Sequence, residues 1–187
     1  MELGFAYDRG RGVEQNDDEA VRWYRRSAEQ GNALGQNNLG WMYRTGRGVP
    51  EDDEEAVRWF RRSAMQGNAF AQGNLGVMYR DGLGVPEDDE EAVRWLRRSA
   101  EQGDAASQIN LGWMYREGRG VGRDDEEAVR WFRASAEQGN VFGQVNLGWM
   151  YEQGRGVNRD RLEAARWYRL AADQGHVDAQ RRLDGLR

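Results

Sequence analysis

The stretch EAVRWYRRSAEQGN at Glu19–Asn32 decides the fold, because the chain repeats it as EAVRWFRRSAMQGN at Glu55–Asn68 and EAVRWLRRSAEQGD at Glu91–Asp104. A second phrase, NLGWMYRTGRGV from Asn38, recurs with the same step. A fixed period of this length indicates a stacked repeat array, in which no unit buries its apolar face alone. The tryptophan of the first phrase returns every 36 residues, at Trp23, Trp59, Trp95, Trp131 and Trp167.

Each repeat predicts two helices joined by short connections. The first helix is followed by Gly46, which can adopt the left-handed conformation that ends a helix. The second opens with Asp52 and Glu55, at capping-box spacing, and closes at Gly67. We therefore expect about eleven helices in an all-α, right-handed superhelical α-solenoid of 36-residue helical hairpins. The N-cap residues predicted for the first helices are Asn32, Asn68, Asp104, Asn140 and His176. Those predicted for the other second helices are Asn16, Asp88, Asp124 and Asp160.

The period divides the chain into one solenoid over residues 1–187 with units 1–31, 32–67, 68–103, 104–139 and 140–175 and a capping helix at 176–187. Residues 3–7 correspond to residues 39–43, so we expect the first unit to have a truncated first helix. We therefore expect a fragment of a longer protein, from which any native N-terminal targeting signal would be missing. The apolar N-terminal end is then a surface for weak self-association.

Composition excludes several classes of function. The net charge is −5, and all 27 basic residues are Arg, alternating with acids, which does not suggest a nucleic-acid-binding surface. Without an apolar run of about 18 residues, no membrane span is expected. Cys is absent and the lone His176 lies at a predicted N-cap, so we expect no enzyme, no metal site and no cofactor. The cellular compartment is left open.

Helical periodicity separates a uniform face from a variable one. In the second helix, Ala20, Trp23 and Tyr24 share the face that we expect to be buried, which assigns the tryptophan series to the core. Gly40 in the first helix predicts close approach of a neighbouring helix. The opposite face of the first helix varies between units and carries aromatic residues around a column of Asn. Inter-repeat hydrogen bonding and binding of a peptide backbone explain that column equally well.

The motifs LGxMYxxGxGVxxD and EAxRWYRxxAEQGNxxAQ resemble the Sel-1-like repeat, a relative of the tetratricopeptide repeat, over essentially the whole chain. The resemblance implies that the LGxxY helix lines the concave side of the superhelix. It thereby places Leu34, Asn37, Asn38, Trp41, Arg44 and Thr45, with their equivalents, in a groove. Several bacterial members are rich in cysteine, whereas this chain has none.

We accordingly expect a non-enzymatic protein-interaction scaffold or adaptor, of bacterial type, that binds a peptide or partner loop in this groove. The alternative is an architectural or consensus-engineered array without a specific ligand. The uniform repeats favour the alternative, and the varied face favours binding. The candidate groove residues are Leu34, Asn38, Trp41, Arg44, Phe70, Asn74, Val77, Arg80, Ile109, Asn110, Trp113, Arg116, Phe142, Val145, Asn146 and Trp149.

Overall fold

A computed structural model describes residues 2–186, and within that range the chain forms eleven α-helices and no strand. The predicted all-α helical-repeat solenoid is confirmed. Backbone contacts divide the chain into two compact units, one ending at Trp95 and the other beginning at Leu96. The helices are α1 (Glu2–Arg9), α2 (Asp17–Glu29), α3 (Ala33–Thr45), α4 (Asp53–Met65), α5 (Ala69–Asp81), α6 (Asp89–Glu101), α7 (Ala105–Glu117), α8 (Asp125–Glu137), α9 (Val141–Gln153), α10 (Arg161–Asp173) and α11 (Val177–Gly185).

The helix starts are where the sequence places them. The Asn32 side chain accepts a hydrogen bond from the Gly35 amide at 2.8 Å, and His176 Nδ1 accepts one from the Ala179 amide at 3.2 Å. Asp52 Oδ1 caps α4 by accepting from the Glu55 amide at 2.9 Å. Each cap satisfies an orphan N–H group in the first helical turn.

The capping box is only half formed, which corrects the sequence-based prediction. In a full box, Glu55 would accept a hydrogen bond from the Asp52 amide. That amide instead donates to the carbonyl of Tyr43 in the preceding helix, at 3.0 Å. The Glu55 carboxylate pairs with Arg58 one turn further on. The same arrangement recurs at the start of α6, where the Asp88 amide donates to the Tyr79 carbonyl.

Each apolar cluster joins the second helix of one repeat to the first helix of the next. In the first unit, Tyr24 on α2 packs with Leu39 and Met42 on α3, and Trp59 covers this cluster from α4. Trp167 closes the corresponding cluster between α8 and α9 in the second unit. Repeats are therefore held to their neighbours by the same side chains that form the core.

The tryptophan series is less buried than expected. Trp131 and Trp167 are buried, whereas Trp23, Trp59 and Trp95 are only half-buried. The position directly after the tryptophan is the one that is fully buried throughout. Its residues are Tyr24, Phe60, Leu96, Phe132 and Tyr168.

Two glycine positions are required by close packing. A Cβ atom on Gly40 would lie 2.8 Å from the ring of Phe60, which confirms the predicted close approach of the helix that follows. Gly48, in the loop after α3, has φ +65° and lies against the start of α2. A Cβ atom there would be 2.3 Å from the carbonyl oxygen of Asp17. Because it has no side chain, this second glycine of the GxG loop allows the loop to contact the main chain of the previous repeat.

Candidate functional site

The candidate site is a surface of the first helices, called here the first-helix face, of which Ile109, Val145 and Trp149 also pack against the apolar clusters. It consists of the sixteen candidate groove residues predicted from the sequence. In α3, Leu39 and Met42 turn into the core, so Leu34, Asn38 and Trp41 point elsewhere on the same helix. Each compact unit carries its own part of this face.

All sixteen residues are at least partly accessible to solvent. Five are exposed apolar side chains, with exposed fractions of 37–61%. These are Leu34, Trp41, Phe70, Trp113 and Phe142. The half-buried members are Asn38, Arg44, Asn74, Val77, Arg80, Ile109, Asn110, Arg116, Val145, Asn146 and Trp149. Asn37, which the family resemblance also placed in the groove, is buried at 8% exposure.

The asparagine column does not have a single role. Asn74 donates to Asn37 Oδ1 of the preceding repeat at 3.1 Å, and Asn37 in turn donates to Asn38 at 3.3 Å. Asn146 instead donates to the Phe142 carbonyl of its own helix at 2.8 Å. At Asn74, therefore, inter-repeat hydrogen bonding is realised, whereas Asn146 serves its own helix.

The three arginines of the first-helix face differ in whether the next residue supplies a carboxylate that pairs with them. Arg80 forms two hydrogen bonds to the adjacent Asp81 carboxylate, at 2.7 and 2.8 Å. Arg116 likewise donates twice to Glu117, at 3.1 and 2.7 Å. Arg44 is followed by Thr45 and lies over the Trp41 ring, with its guanidinium carbon 5.6 Å from the ring centre.

Aromatic rings of the second unit are already occupied by other side chains of the protein. The guanidinium carbon of Arg116 lies 3.5 Å from the Trp113 ring centre and 4.9 Å from that of Trp149. Phe142 contacts His176 edge to face, with ring centres 5.9 Å apart. Trp113 and Trp149 therefore hold an arginine between them instead of flanking an empty pocket.

Acidic residues replace arginine at the equivalent position in the first and fifth repeats. Asp8 accepts a hydrogen bond from the Tyr24 hydroxyl at 3.3 Å. Glu152 accepts one from Tyr168 at 2.7 Å and another from Arg182 at 3.2 Å. Burial, and then the adjacent carboxylate, raise the pKa of both tyrosine hydroxyls. These hydroxyls therefore act as hydrogen-bond donors.

A ladder of glutamines, which joins helices both within a repeat and between neighbouring repeats, was missed by the sequence analysis. Gln36 is buried and donates to the Ala28 carbonyl at 3.1 Å, while its oxygen accepts from Gln66, the C-cap residue after α4, at 2.7 Å. The second unit repeats the arrangement with Gln108 and Gln138. The signal was present, since both glutamines recur at the 36-residue step, but inter-repeat hydrogen bonding was expected only as one explanation of the asparagine column.

Features of other kinds of site are absent from residues 2–186. This range contains no group of three or more His, Asp or Glu side chains placed to hold a metal ion. Among the described helices, none has the length and apolar character needed to cross a membrane. The serine column, represented by Ser63 on α4, donates a hydrogen bond to the Ala33 main-chain carbonyl of α3 in the same repeat at 2.6 Å, so it contributes to packing.

Comparison with known families gives one match, repeated along the chain. The Sel1 repeat model matches residues 1–32, 33–68, 69–104, 105–140 and 141–176. The comparison with curated proteins gave no match.

Solved structures of bacterial proteins are similar over nearly the whole chain. A protective antigen of uropathogenic Escherichia coli strains is 41% identical with a TM-score of 0.91, over 97% of this chain and 39% of the antigen chain. A Sel1 repeat protein from Oxalobacter formigenes is 37% identical with a TM-score of 0.92, over 99% of this chain and 76% of its own. An immunity protein from Pseudomonas aeruginosa, at 24% identity and a TM-score of 0.63, covers 96% and 68% and shares the fold alone. This chain thus spans less than half the length of the Escherichia coli antigen.

Proposed function

We propose that this chain, which belongs to the Sel1 repeat family, is a non-enzymatic scaffold that binds an extended peptide or partner loop on its first-helix face. Sel1 repeat proteins are protein-interaction scaffolds and are generally non-catalytic. The finer proposal concerns where the partner binds and through which side chains.

One observation carries the proposal: apolar side chains remain exposed on the first-helix face of both units. Phe70 in α5 is 61% exposed and Phe142 in α9 is 58% exposed. Large aromatic side chains in this setting favour a protein contact, because they bury much apolar area with few rotatable bonds. Uncharged asparagine amides beside them can hydrogen-bond a peptide backbone.

An architectural array without a specific ligand is the second candidate function. The hydrogen bond from Asn74 to Asn37 favours it, because a side chain of the face is used to join two repeats. The stacking of Arg116 between two tryptophans favours it for the same reason. The two functions make different predictions for the exposed Phe70 and Phe142. Phe70 in α5 has no such role in joining two repeats.

The test uses Phe70→Ala and Phe142→Ala, alone and combined, with Met65→Ala as the control. Met65 is 75% exposed but lies on a second helix, outside the face. Peptides selected from a random displayed library on the parent protein provide the probe. We expect the double variant to lose at least tenfold in affinity for them, with helicity unchanged and Met65→Ala indistinguishable from the parent.

A library that yields no peptide, or peptides that bind the double variant as tightly as the parent, would support the architectural function. Trp113→Ala is less suitable here, because Trp113 packs against the fully buried Phe132 with ring centres 6.3 Å apart, whereas the ring that Phe142 contacts, His176, is only half-buried. Loss of binding in that variant could not be separated from a loss of packing.

A further inference from the structure

The residue that follows the arginine of the first-helix face differs between repeats. Steps of 36 residues relate three such pairs, which are Arg44 and Thr45, Arg80 and Asp81, and Arg116 and Glu117. Two of the pairs thus contain an acidic residue directly after the arginine, whereas the first contains an uncharged threonine. Arg44 therefore lacks a negative charge at a position where its two equivalents have one.

In the second unit, the arginine makes two kinds of contact at once. The Arg116 guanidinium carbon lies 3.5 Å from the centre of the Trp113 ring. The guanidinium nitrogens also donate twice to the Glu117 carboxylate, at 3.1 and 2.7 Å. A guanidinium group is planar, so its face can cover a ring while its edge donates hydrogen bonds. The protein itself thus neutralises the charge of Arg116.

Arg44 makes only the first of these contacts. Its guanidinium carbon lies 5.6 Å from the Trp41 ring centre, but within residues 2–186 it forms no ion pair with a carboxylate. Asp8, which lines a cavity beside Trp41, already pairs with Arg47 and Arg9. The half-buried Arg44 therefore carries a positive charge that the described part of the chain does not neutralise.

Arg44 is also not needed to complete the end of α3. The Trp41 carbonyl accepts a hydrogen bond from the Thr45 hydroxyl at 2.8 Å. The Met42 carbonyl accepts one from the Arg47 amide at 3.1 Å. A cation in the last turn interacts favourably with the helix dipole through its charge alone, without using its hydrogen-bond donors. The edge of the Arg44 guanidinium is therefore available to another molecule.

We propose that Arg44 binds the carboxylate of an aspartate or glutamate side chain of the partner peptide, in the place that Glu117 occupies beside Arg116. The inference rests on the proposed function, because Arg44 belongs to the first-helix face. A carboxylate fits the site because it accepts two hydrogen bonds from a guanidinium edge and cancels its single charge. Contact with the Trp41 ring restricts the guanidinium, which lowers the entropy lost when the peptide binds.

The surroundings of Arg44 also indicate what accompanies the acidic side chain. Trp41 is 43% exposed, so part of its ring is free to contact an apolar side chain of the same peptide. A single unpaired guanidinium suits a carboxylate, with one negative charge, better than a phosphate group with nearly two. The expected occupant is therefore a peptide segment in which an acidic residue lies close to an apolar one.

Substitutions at Thr45 test the inference without altering Arg44. Thr45→Glu copies the pair of Arg116 and Glu117, so it should neutralise Arg44 internally and weaken peptide binding at least about fivefold. Thr45→Gln is the matched uncharged control and should bind like the parent, because glutamine occupies this position as Gln153 in the fifth repeat. Both new side chains occur at this position elsewhere in the chain, so both variants should fold, which circular dichroism checks.

The probes are the library peptides selected on the parent protein, synthesised with amidated C-termini so that only side chains carry a carboxylate. Replacing their acidic residues with the corresponding amides should weaken binding to the parent at least about fivefold. The same replacement should change binding to Arg44→Gln by less than about twofold, because the carboxylate has lost its partner there. An acidic residue that acts through another arginine would keep its full effect in Arg44→Gln and contradict the inference.

Selected peptides without an acidic residue, or a Thr45→Glu protein that binds them like the parent, would also overturn the inference. If such peptides still need Phe70 and Phe142, the proposed function stands without a carboxylate site. Peptides that need Arg44 but neither phenylalanine would retain the site and reject the proposed role of the phenylalanines. A library that yields no peptide would reject both proposals. Peptides that bind only when their C-terminus is left free would reject the side-chain assignment.

Discussion

At the scale of single residues, the second glycine of the GxG loop shows how one missing side chain allows repeats to stack. Gly12 and Gly48 occupy equivalent loop positions with φ of +73° and +65°. A Cβ atom on Gly12 would meet nothing within 4 Å, whereas one on Gly48 would be 2.3 Å from the Asp17 carbonyl oxygen. Substituting Gly12 and Gly48 in turn therefore separates the energetic cost of the left-handed backbone conformation from that of close packing.

We predict that Gly12→Ala costs about 1–2 kcal/mol of the free energy of unfolding, through the left-handed conformation alone. Gly48→Ala should cost at least about 2 kcal/mol more, because the main chain of α2 cannot move away as a flexible side chain could. Urea unfolding of both variants measures the difference. Equal losses in the two variants would show that the contact at Gly48 is relieved without cost.

At the scale of the helix, the N-termini combine one local interaction with one from the preceding helix. In α6, Asp88 accepts from the Glu91 amide at 3.0 Å, while the Asp88 amide donates to the Tyr79 carbonyl at 2.9 Å. Glu91 therefore has no capping role, and its carboxylate pairs with the exposed Arg94 at 2.6 Å. Exposed pairs of this kind contribute little to stability.

We predict that Asp88→Ala lowers the free energy of unfolding by about 1 kcal/mol, the usual cost of removing an N-cap side chain. Glu91→Gln should cost less than about 0.5 kcal/mol, because it removes only an exposed ion pair. Chemical unfolding followed by circular dichroism tests both. A loss in Glu91→Gln as large as that in Asp88→Ala would indicate a reciprocal capping box after all.

At the scale of the molecule, each compact unit is held together by contacts that recur from repeat to repeat. Trp59 and Trp167 each close the apolar cluster that joins the preceding repeat to their own. The glutamine ladder runs beside these clusters, as in the 2.8 Å bond from Gln138 to the buried Gln108. Because a repeat cannot bury its apolar face alone, such contacts should determine how cooperatively each unit unfolds.

We predict that Gln138→Ala destabilises the second unit by about 1–3 kcal/mol, because the oxygen of Gln108 loses its partner in a buried setting. Gln30→Ala is the matched control, since Gln30 holds the equivalent position in the first repeat without a preceding glutamine to bond. Hydrogen exchange should show faster opening of α7 and α8 in Gln138→Ala only. Identical exchange in the two variants would mean that the bond from Gln138 to Gln108 does not couple the two helices of the repeat.

The sequence by itself determined the repeat period, the helices, their N-caps and the close approach at Gly40. These depend on local chemistry: capping needs a residue three positions away, and helical periodicity assigns each side chain to a face. The Sel-1-like motifs likewise lie in continuous segments, so the family could be predicted from them. The accessible residues of the first-helix face followed from the same periodicity.

Only the tertiary structure decided what the polar and aromatic side chains of that face contact. Asn74 bonds a residue of the preceding repeat, while Asn146 bonds its own helix, although the two occupy equivalent positions. Arg116 lies over the rings of Trp113 and Trp149, whereas the equivalent Asp8 pairs with Arg47. Some of these partners lie about one repeat away along the chain and others lie on the same helix, and side-chain length and charge select among them only once the helices have packed.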